Sequence, residues 1–395
     1  MYTIENIDGG VCAASGFYAD GIHIGLKKEG AKDLAFIYSD TPCTIASVFT
    51  TNKMTAAPIR HFRKKGTFEG NFVLINAKNA NAMTGPAGIA DIDEVLNALS
   101  LKFPQIQHPV MSSTGVIGVR LPKAKIIEGA MNFDLTKREG KNASEAIMTT
   151  DTFAKRIAFE VKLEDGKSFR IGAMAKGAGM INPAMATMLC FITTDAKVDA
   201  STMQKILDEC THTTFNAASV DGDTSTNDTV LVMANGQSGN FHPEAFKEAL
   251  EKIMLFLAKE MVRDGEGATK LVTYKVTSAK NDVQAEIAAK ALSNSLLVKT
   301  ALFGQDPNWG RIASTIGASG IDCDESTLSI WFDDVCVYNK GDLLFDEKLE
   351  PFAAAVMQKG AFVIHCDIGL NTGSFTAYGC DLGHEYVKIN ADYRT

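Results

Sequence analysis

The chain lacks the marks of several large protein classes. Its eight cysteines form no CxxC pair, so metal and redox motifs of that spacing are missing. Most of them sit in apolar runs such as MLCFI (188–192) and FVIHCDI (362–368), which reads as buried free thiols in a reducing compartment. Seven histidines occur without HxxxH or HExxH spacing, and no metal site is expected. No run approaches the ~20 consecutive apolar residues of a membrane-spanning helix. The formal charge of −8 argues against nucleic acid, whose phosphates call for clustered Lys and Arg. The N-terminus, MYTIENIDGG, has no basic or apolar segment of the secretory kind, and a cytoplasmic protein acting on small molecules is the expectation.

What is present is a globular composition, 46% hydrophobic and 22% charged over 395 residues, inside ordinary ranges. That length predicts two domains or one elaborate layered unit. DLAFIYS (33–39), CTIASVFT (43–50) and NFVLINA (71–77) read as strands, and 91–103 as a helix. Segment 160–174 alternates on both sides of Asp165-Gly166, a type I′ hairpin signal. A strand is expected at 191–199, then a helix over 201–210 with Ser201 as N-cap, then a strand at 228–236. A long amphipathic helix spans 242–267, with Pro243 in its first turn and Gly265 at its end. Further strands fall at 270–279, 327–332, 362–368 and 374–382, and helices at 283–302 and 352–358. So many strands need helices outside stacked sheets, and an α/β fold with α/β/β/α layering is predicted.

Near the midpoint stands KGAGMINPAMATMLCFITTDA (176–196). Small residues lead into one hydroxyl, Thr187, and an apolar strand follows. A threonine hydroxyl is a weak nucleophile until a base takes its proton. If the bond before Thr187 were cut, its own α-amino group would supply that base, with a reference pKa of about 7.7–8.0. Such a group suits catalysis near neutral pH. The hydroxyl itself can make the cut by an N→O acyl shift onto the carbonyl of Ala186, given an approach poor in side chains.

That segment resembles the signature of the ornithine acetyltransferase family, the bifunctional glutamate N-acetyltransferases of arginine biosynthesis. SSTGVIG (112–118), TTDTFAK (149–155), SVDGDTSTNDTV (219–230), RDGEGATK (263–270), FGQDPNWGRI (303–312) and YVKINADYRT (386–395) match the family pattern in order, over essentially the whole chain. The resemblance implies an α/β/β/α sandwich and self-cleavage between Ala186 and Thr187. It further implies that chains 1–186 and 187–395 stay together, two pairs forming a heterotetramer. N2-acetylornithine would acetylate Thr187, ornithine would leave, and L-glutamate would take the acetyl group.

The same resemblance assigns roles. Thr114 and Gly115 would form the oxyanion hole, where each donor contributes typically ~3–4 kcal/mol. Lys176, the one cation of the approach stretch, would meet the substrate carboxylate, and Glu266 the ornithine ammonium. Thr152 would add a hydroxyl, with Thr149 and Thr150 as neighbouring alternatives. Asn390 and Thr395 match C-terminal substrate contacts, which requires the last ten residues to fold into the site rather than fray. No cofactor is implied. Some family members also take acetyl-CoA as a co-substrate, and the sequence does not separate the two types.

Asp221, Asp223 and Asp228 of DGDTSTND lack the glycine and terminal glutamate of an EF-hand, and read as a hydrogen-bonded loop near the site. The Asn-rich NAKNANAMTG (76–85) is expected to shape the pocket, without an assigned role. Two rival readings stand beside the transferase. One is a self-processing aminopeptidase, in which water replaces glutamate. The other is an uncleaved binding protein in which Thr187 merely begins a strand.

Overall fold

The computed structural model describes residues 1–28, 30–182 and 188–392. Among them one sheet has nine strands: β1 (Tyr2–Asn6), β2 (Phe17–Ile22), β3 (Leu34–Phe49), β4 (Glu69–Asn76), β5 (Val110–Ser113), β6 (Lys155–Leu163), β7 (Ser168–Lys176), β8 (Leu189–Thr194) and β9 (Thr229–Ala234). Their order is β1-β6-β7-β8-β9-β3-β4-β5, with β2 also paired to β3. The second sheet has six: β10 (Leu271–Ala279), β11 (Ser329–Phe332), β12 (Val335–Asn339), β13 (Asp342–Leu343), β14 (Ala361–Asp367) and β15 (Gly373–Cys380). The helices are α1 (Ala57–Lys64), α2 (Gly85–Lys102), α3 (Lys123–Ala130), α4 (Gly140–Ala146), α5 (Ala200–Thr213), α6 (Pro243–Arg263), α7 (Asp282–Asn294), α8 (Leu296–Phe303), α9 (Trp309–Ala318), α10 (Glu350–Met357) and α11 (His384–Asp392).

The large sheet folds over on itself, and β3 is the crease. Its first half pairs with β2 and β4, and its second half with β9. The register shifts between Tyr38 and Cys43, where Pro42 has no N–H to give the ladder. This is why two strands expected at 33–39 and 43–50 are one bent strand. Side chains alternate across a strand, and the alternation sorts the cores. Leu34, Phe36, Phe72 and Leu74 face α2 and α3. Ala35, Ile37, Val73 and Ile75 face inward, against Met174, Leu189, Phe191, Leu231 and Met233 of the other layer. Cys190, Ile192, Val230 and Val232 face outward to α5 and α6. Helix, sheet, sheet, helix is therefore the layering, as predicted. The six-stranded sheet adds its own core under α7, α8, α9 and α10.

Several local expectations need correction. The hairpin joins β6 to β7 with Leu163 N–H on Lys167 O. Gly166 has φ +77°, while Asp165 is not in the left-handed region, and a type I′ turn needs both. Asp199, not Ser201, caps α5, its carboxylate accepting from Thr202 N at 3.0 Å. The helix expected over 283–302 breaks at Ser295, whose hydroxyl caps a new helix through Val298 N. The strand expected at 191–199 ends at Thr194, where the Thr194 hydroxyl turns back to Arg170 O at 2.7 Å. The long helix ends at Arg263, ahead of the expected Gly265. Cys323 and Cys336 are part-exposed, whereas the other six cysteines are buried; all eight are free.

Candidate active site

Several distant stretches meet at one cleft of about 200 Å³. The end of β7 brings Lys176, the turn after β5 brings Thr114 and Gly115, and the loop after α6 brings Glu266. The loop before β9 brings Asp221 and Asn227, and α11 brings Tyr386 and Asn390.

The Thr114–Gly115 corner is held by backbone and amides. Thr114 N–H donates to Asn76 O at 3.0 Å, and Val116 N–H to Lys78 O at 3.2 Å. Asn79 Nδ2 donates to Val119 O and Arg120 O, and Asn227 Nδ2 to Ala80 O and Ser113 O. The Asn-rich stretch left unassigned above is thus the frame of this corner. The stretch enters the left-handed region at Lys78 (φ +69°), Asn81 (φ +47°) and Met83 (φ +57°) as well as at Gly85 (φ +62°), a conformation uncommon for residues other than Gly and Asn. Gly115 has φ +131°, and a Cβ there would lie 2.2 Å from the Lys78 carbonyl carbon. Gly115→Ala is therefore expected to destabilise the protein by about 3 kcal/mol through strain and overpacking. In the oxyanion role that the resemblance implies for Gly115, the change should also lower turnover by about a hundredfold or more. Thermal melting and steady-state rates would check this, and wild-type values in both would remove the corner from the site.

Lys176 is buried, and its Nζ lies 3.5 Å from Thr114 Oγ1. An ammonium has no acceptor to offer, so the Thr114 hydroxyl accepts there and keeps its own proton for another oxygen. Asp151 Oδ2 lies 4.0 Å from the same ammonium. Burial lowers the Lys176 pKa below the ordinary lysine value, and Asp151 opposes that shift. Burial raises the Asp151 carboxyl, but Lys176, Lys155 and backbone N–H donors outweigh it and hold it at about 2.

Glu266 is tied to the approach stretch by its backbone N–H, which donates to Ala178 O at 2.8 Å. A Cβ on Gly179 would come within 2.5 Å of the Glu266 carboxylate. That contact is one physical reason for small residues before Thr187: the approach passes directly over an acid. Asn390 Nδ2 donates to Glu266 Oε2 at 2.7 Å, so the C-terminal helix folds back onto the cleft. Tyr386 OH donates to Asp221 Oδ2 at 3.2 Å. Asp221 in turn accepts from Met180 N and Ile181 N, and burial raises its carboxyl.

Of the residues expected from sequence, Thr114, Gly115, Lys176, Glu266 and Asn390 line the cleft together. Thr149 and Thr150 line it too. The Thr152 hydroxyl instead donates to Asp264. Ala186, Thr187 and Thr395 lie outside the described residues. The loop at 221–228 is hydrogen-bonded and beside the cleft, as read. Among the described residues no group of His, Cys, Asp or Glu could hold a metal ion, and no helix is long and apolar enough to cross a membrane.

Sequence reasoning missed Tyr386, Asn227 and the partners of Lys176. It also missed the place of Asp228, fully buried, whose Oδ1 accepts from Met188 N at 2.9 Å. That nitrogen belongs to the peptide bond directly after residue 187. Burial raises the Asp228 carboxyl well above its usual value, and its Oδ2 has no hydrogen-bond partner among the described residues. No signal in the sequence marks it, because an Asp in a polar loop reads as solvated.

The ArgJ family model matches residues 18–395. A Wolinella succinogenes protein named "arginine biosynthesis bifunctional protein ArgJ" is 60% identical, covering all of both chains. A Symbiobacterium thermophilum protein of the same name is 44% identical over 99% of this chain and all of its own. A crystal structure of a Bacillus halodurans protein of that name is 42% identical, covering 51% of this chain and 98% of its own, with a TM-score of 0.49. A family model spanning nearly the whole chain, with relatives aligned end to end, establishes that the chain belongs to the ArgJ family.

Proposed function

We propose that this protein is a glutamate N-acetyltransferase of arginine biosynthesis, moving an acetyl group from N2-acetylornithine to L-glutamate. One observation carries the reading: Thr114, Gly115, Lys176, Glu266 and Asn390, from separate stretches, line a single cleft. The full-length relatives named for arginine biosynthesis support it.

In this reading the chain cuts itself between Ala186 and Thr187, and parts 1–186 and 187–395 remain together. Thr187 Oγ attacks the acetyl carbonyl of N2-acetylornithine while its α-amino group takes the hydroxyl proton. The tetrahedral oxyanion is met by the Thr114 hydroxyl and the Gly115 N–H. The C–N bond breaks, the proton passes to the departing amine, and ornithine leaves an acetyl ester on Thr187. The glutamate α-amine then attacks that ester, and the hydroxyl regains its proton. Lys176 holds the α-carboxylate common to both substrates, and Glu266 the δ-ammonium of ornithine. The enzyme works in the cytoplasm without a cofactor, as a heterotetramer of two of each part, with acetyl-CoA as an additional donor in the bifunctional form.

The test is release of ornithine from N2-acetylornithine by purified protein, with and without glutamate. Release that requires glutamate, with N-acetylglutamate formed in equal amount, is the expected result. Equal release in its absence would make the protein a hydrolase instead.

A further inference from the structure

Beneath the cleft lies a set of four buried charges. Asp151 and Lys155 are 0% exposed at their side chains, Asp264 is 1% and Lys176 is 3%. Lys155 Nζ donates to Asp151 Oδ1 at 2.8 Å, to Asp264 Oδ2 at 2.5 Å and to Phe153 O at 3.3 Å. All three of its protons are thereby used. Asp151 also accepts from Gly177 N at 2.7 Å and from Thr149 N at 3.0 Å. Asp264 also accepts from the Thr152 N–H and hydroxyl.

The two lysines share Asp151 unequally. Lys155 has the short contact, whereas Lys176 stands at 4.0 Å, beyond hydrogen-bond length. The one other close partner of Lys176 among the described residues is Thr114 Oγ1 at 3.5 Å. Its ammonium therefore keeps donors for something else, on a wall of the cleft. The network also ties together segments distant in sequence. Asp151 and Lys155 precede the approach stretch and Lys176 begins it, whereas Asp264 follows it and is two residues from Glu266.

We propose that Lys155 is a positioning residue for substrate binding: by occupying Asp151 it leaves Lys176 open to the substrate α-carboxylate, and by pairing with Asp264 it sets Glu266 opposite Lys176. The inference rests on the reading of Lys176 as the carboxylate partner. Two carboxylates and two ammoniums balance inside the protein, where an unpaired charge is costly. With Lys155 gone, Asp151 has one cation left to pair with and closes on Lys176. The substrate carboxylate then competes with Asp151 for the same ammonium. Both substrates carry that carboxylate, so both should suffer, N2-acetylornithine the more because Glu266 is also released.

The experiment uses the full-length protein and three variants: Lys155→Met, Lys176→Met and Lys155→Met with Asp264→Asn. Steady-state kinetics are run for N2-acetylornithine and for glutamate, and thermal melting beside them. Lys155→Met is expected to raise both KM values about tenfold or more with kcat within a few-fold, the pattern of lost uniform binding. The double variant restores charge balance around Asp264, so its melting temperature should recover while both KM values stay high. If KM recovers in the double variant, Lys155 serves charge balance alone and the proposal falls. It falls equally if Lys155→Met leaves both KM values unchanged, or raises the acetylornithine value alone. If the single variant does not fold, the double variant decides. Lys176→Met separates the two levels: wild-type KM values there overturn the role of Lys176 itself, whereas high values there with none in Lys155→Met overturn only this inference.

Discussion

Intact mass under denaturing conditions is expected to give two species from the wild-type protein, the second beginning at Thr187, in place of the 42.5 kDa chain. Their masses should sum to that of the chain plus one water, because the ester left by an N→O shift is resolved by hydrolysis. Thr187→Ala has no hydroxyl to attack the Ala186 carbonyl and should remain a single chain. It should also be inactive beyond detection, because it loses both the nucleophile and the amine that serves as its base. Thr187→Ser keeps a hydroxyl and should still be cut. A wild-type protein that stays whole yet transfers acetyl groups at full rate would leave the proposed mechanism without its central step.

Glu266→Gln is expected to split the two half-reactions. The ornithine δ-ammonium would lose its counter-charge, and a hydrogen bond to a charged group contributes about 1.5–3 kcal/mol. KM for N2-acetylornithine should therefore rise by about ten- to a hundredfold. Glutamate brings a carboxylate rather than an ammonium, so removing an acid from the cleft should leave its KM equal or lower. The amide introduced by this substitution keeps an oxygen for the Asn390 Nδ2 donor now 2.7 Å from Glu266, so α11 should stay seated. Measured with each substrate varied in turn, parallel increases in both KM values would mean that Glu266 acts on the shape of the cleft and not on the donor's charge.

Much of this site was legible through the family resemblance, because SSTGVIG, KGAGMINPAMATMLCFITTDA and RDGEGATK match its pattern in order. By themselves a glycine beside a threonine reads as a turn, and an acid between two glycines as a solvated helix end. The layering was legible too, since β4, β8 and β9 are short apolar runs whose two faces need two covers. What stayed hidden depends on distance in the chain. Lys155 and Asp264 are 109 positions apart, and each alone reads as a solvated charge; only folding shows that they share one buried hydrogen bond. The choice among Thr149, Thr150 and Thr152 stayed open for a related reason, since three threonines stand close together and backbone direction decides which faces the cleft. The bend in β3 and the break at Ser295 are decided by single hydrogen bonds or their absence, which periodicity does not register.

The order of the large sheet bears on how such a protein can be made. Strands β8 and β9, from beyond residue 187, lie between β7 and β3, from before it. Lys176 pairs with Leu189 on one side, and Thr229 pairs with Phe49 on the other. Each half therefore supplies inner neighbours of the other in the large sheet, and neither can finish that sheet alone. A gene divided at codon 187 would encode two polypeptides with long unpaired apolar edges, prone to aggregate before they met. Heredity must keep the two halves as one reading frame, even if the working molecule has no further need of the bond between them.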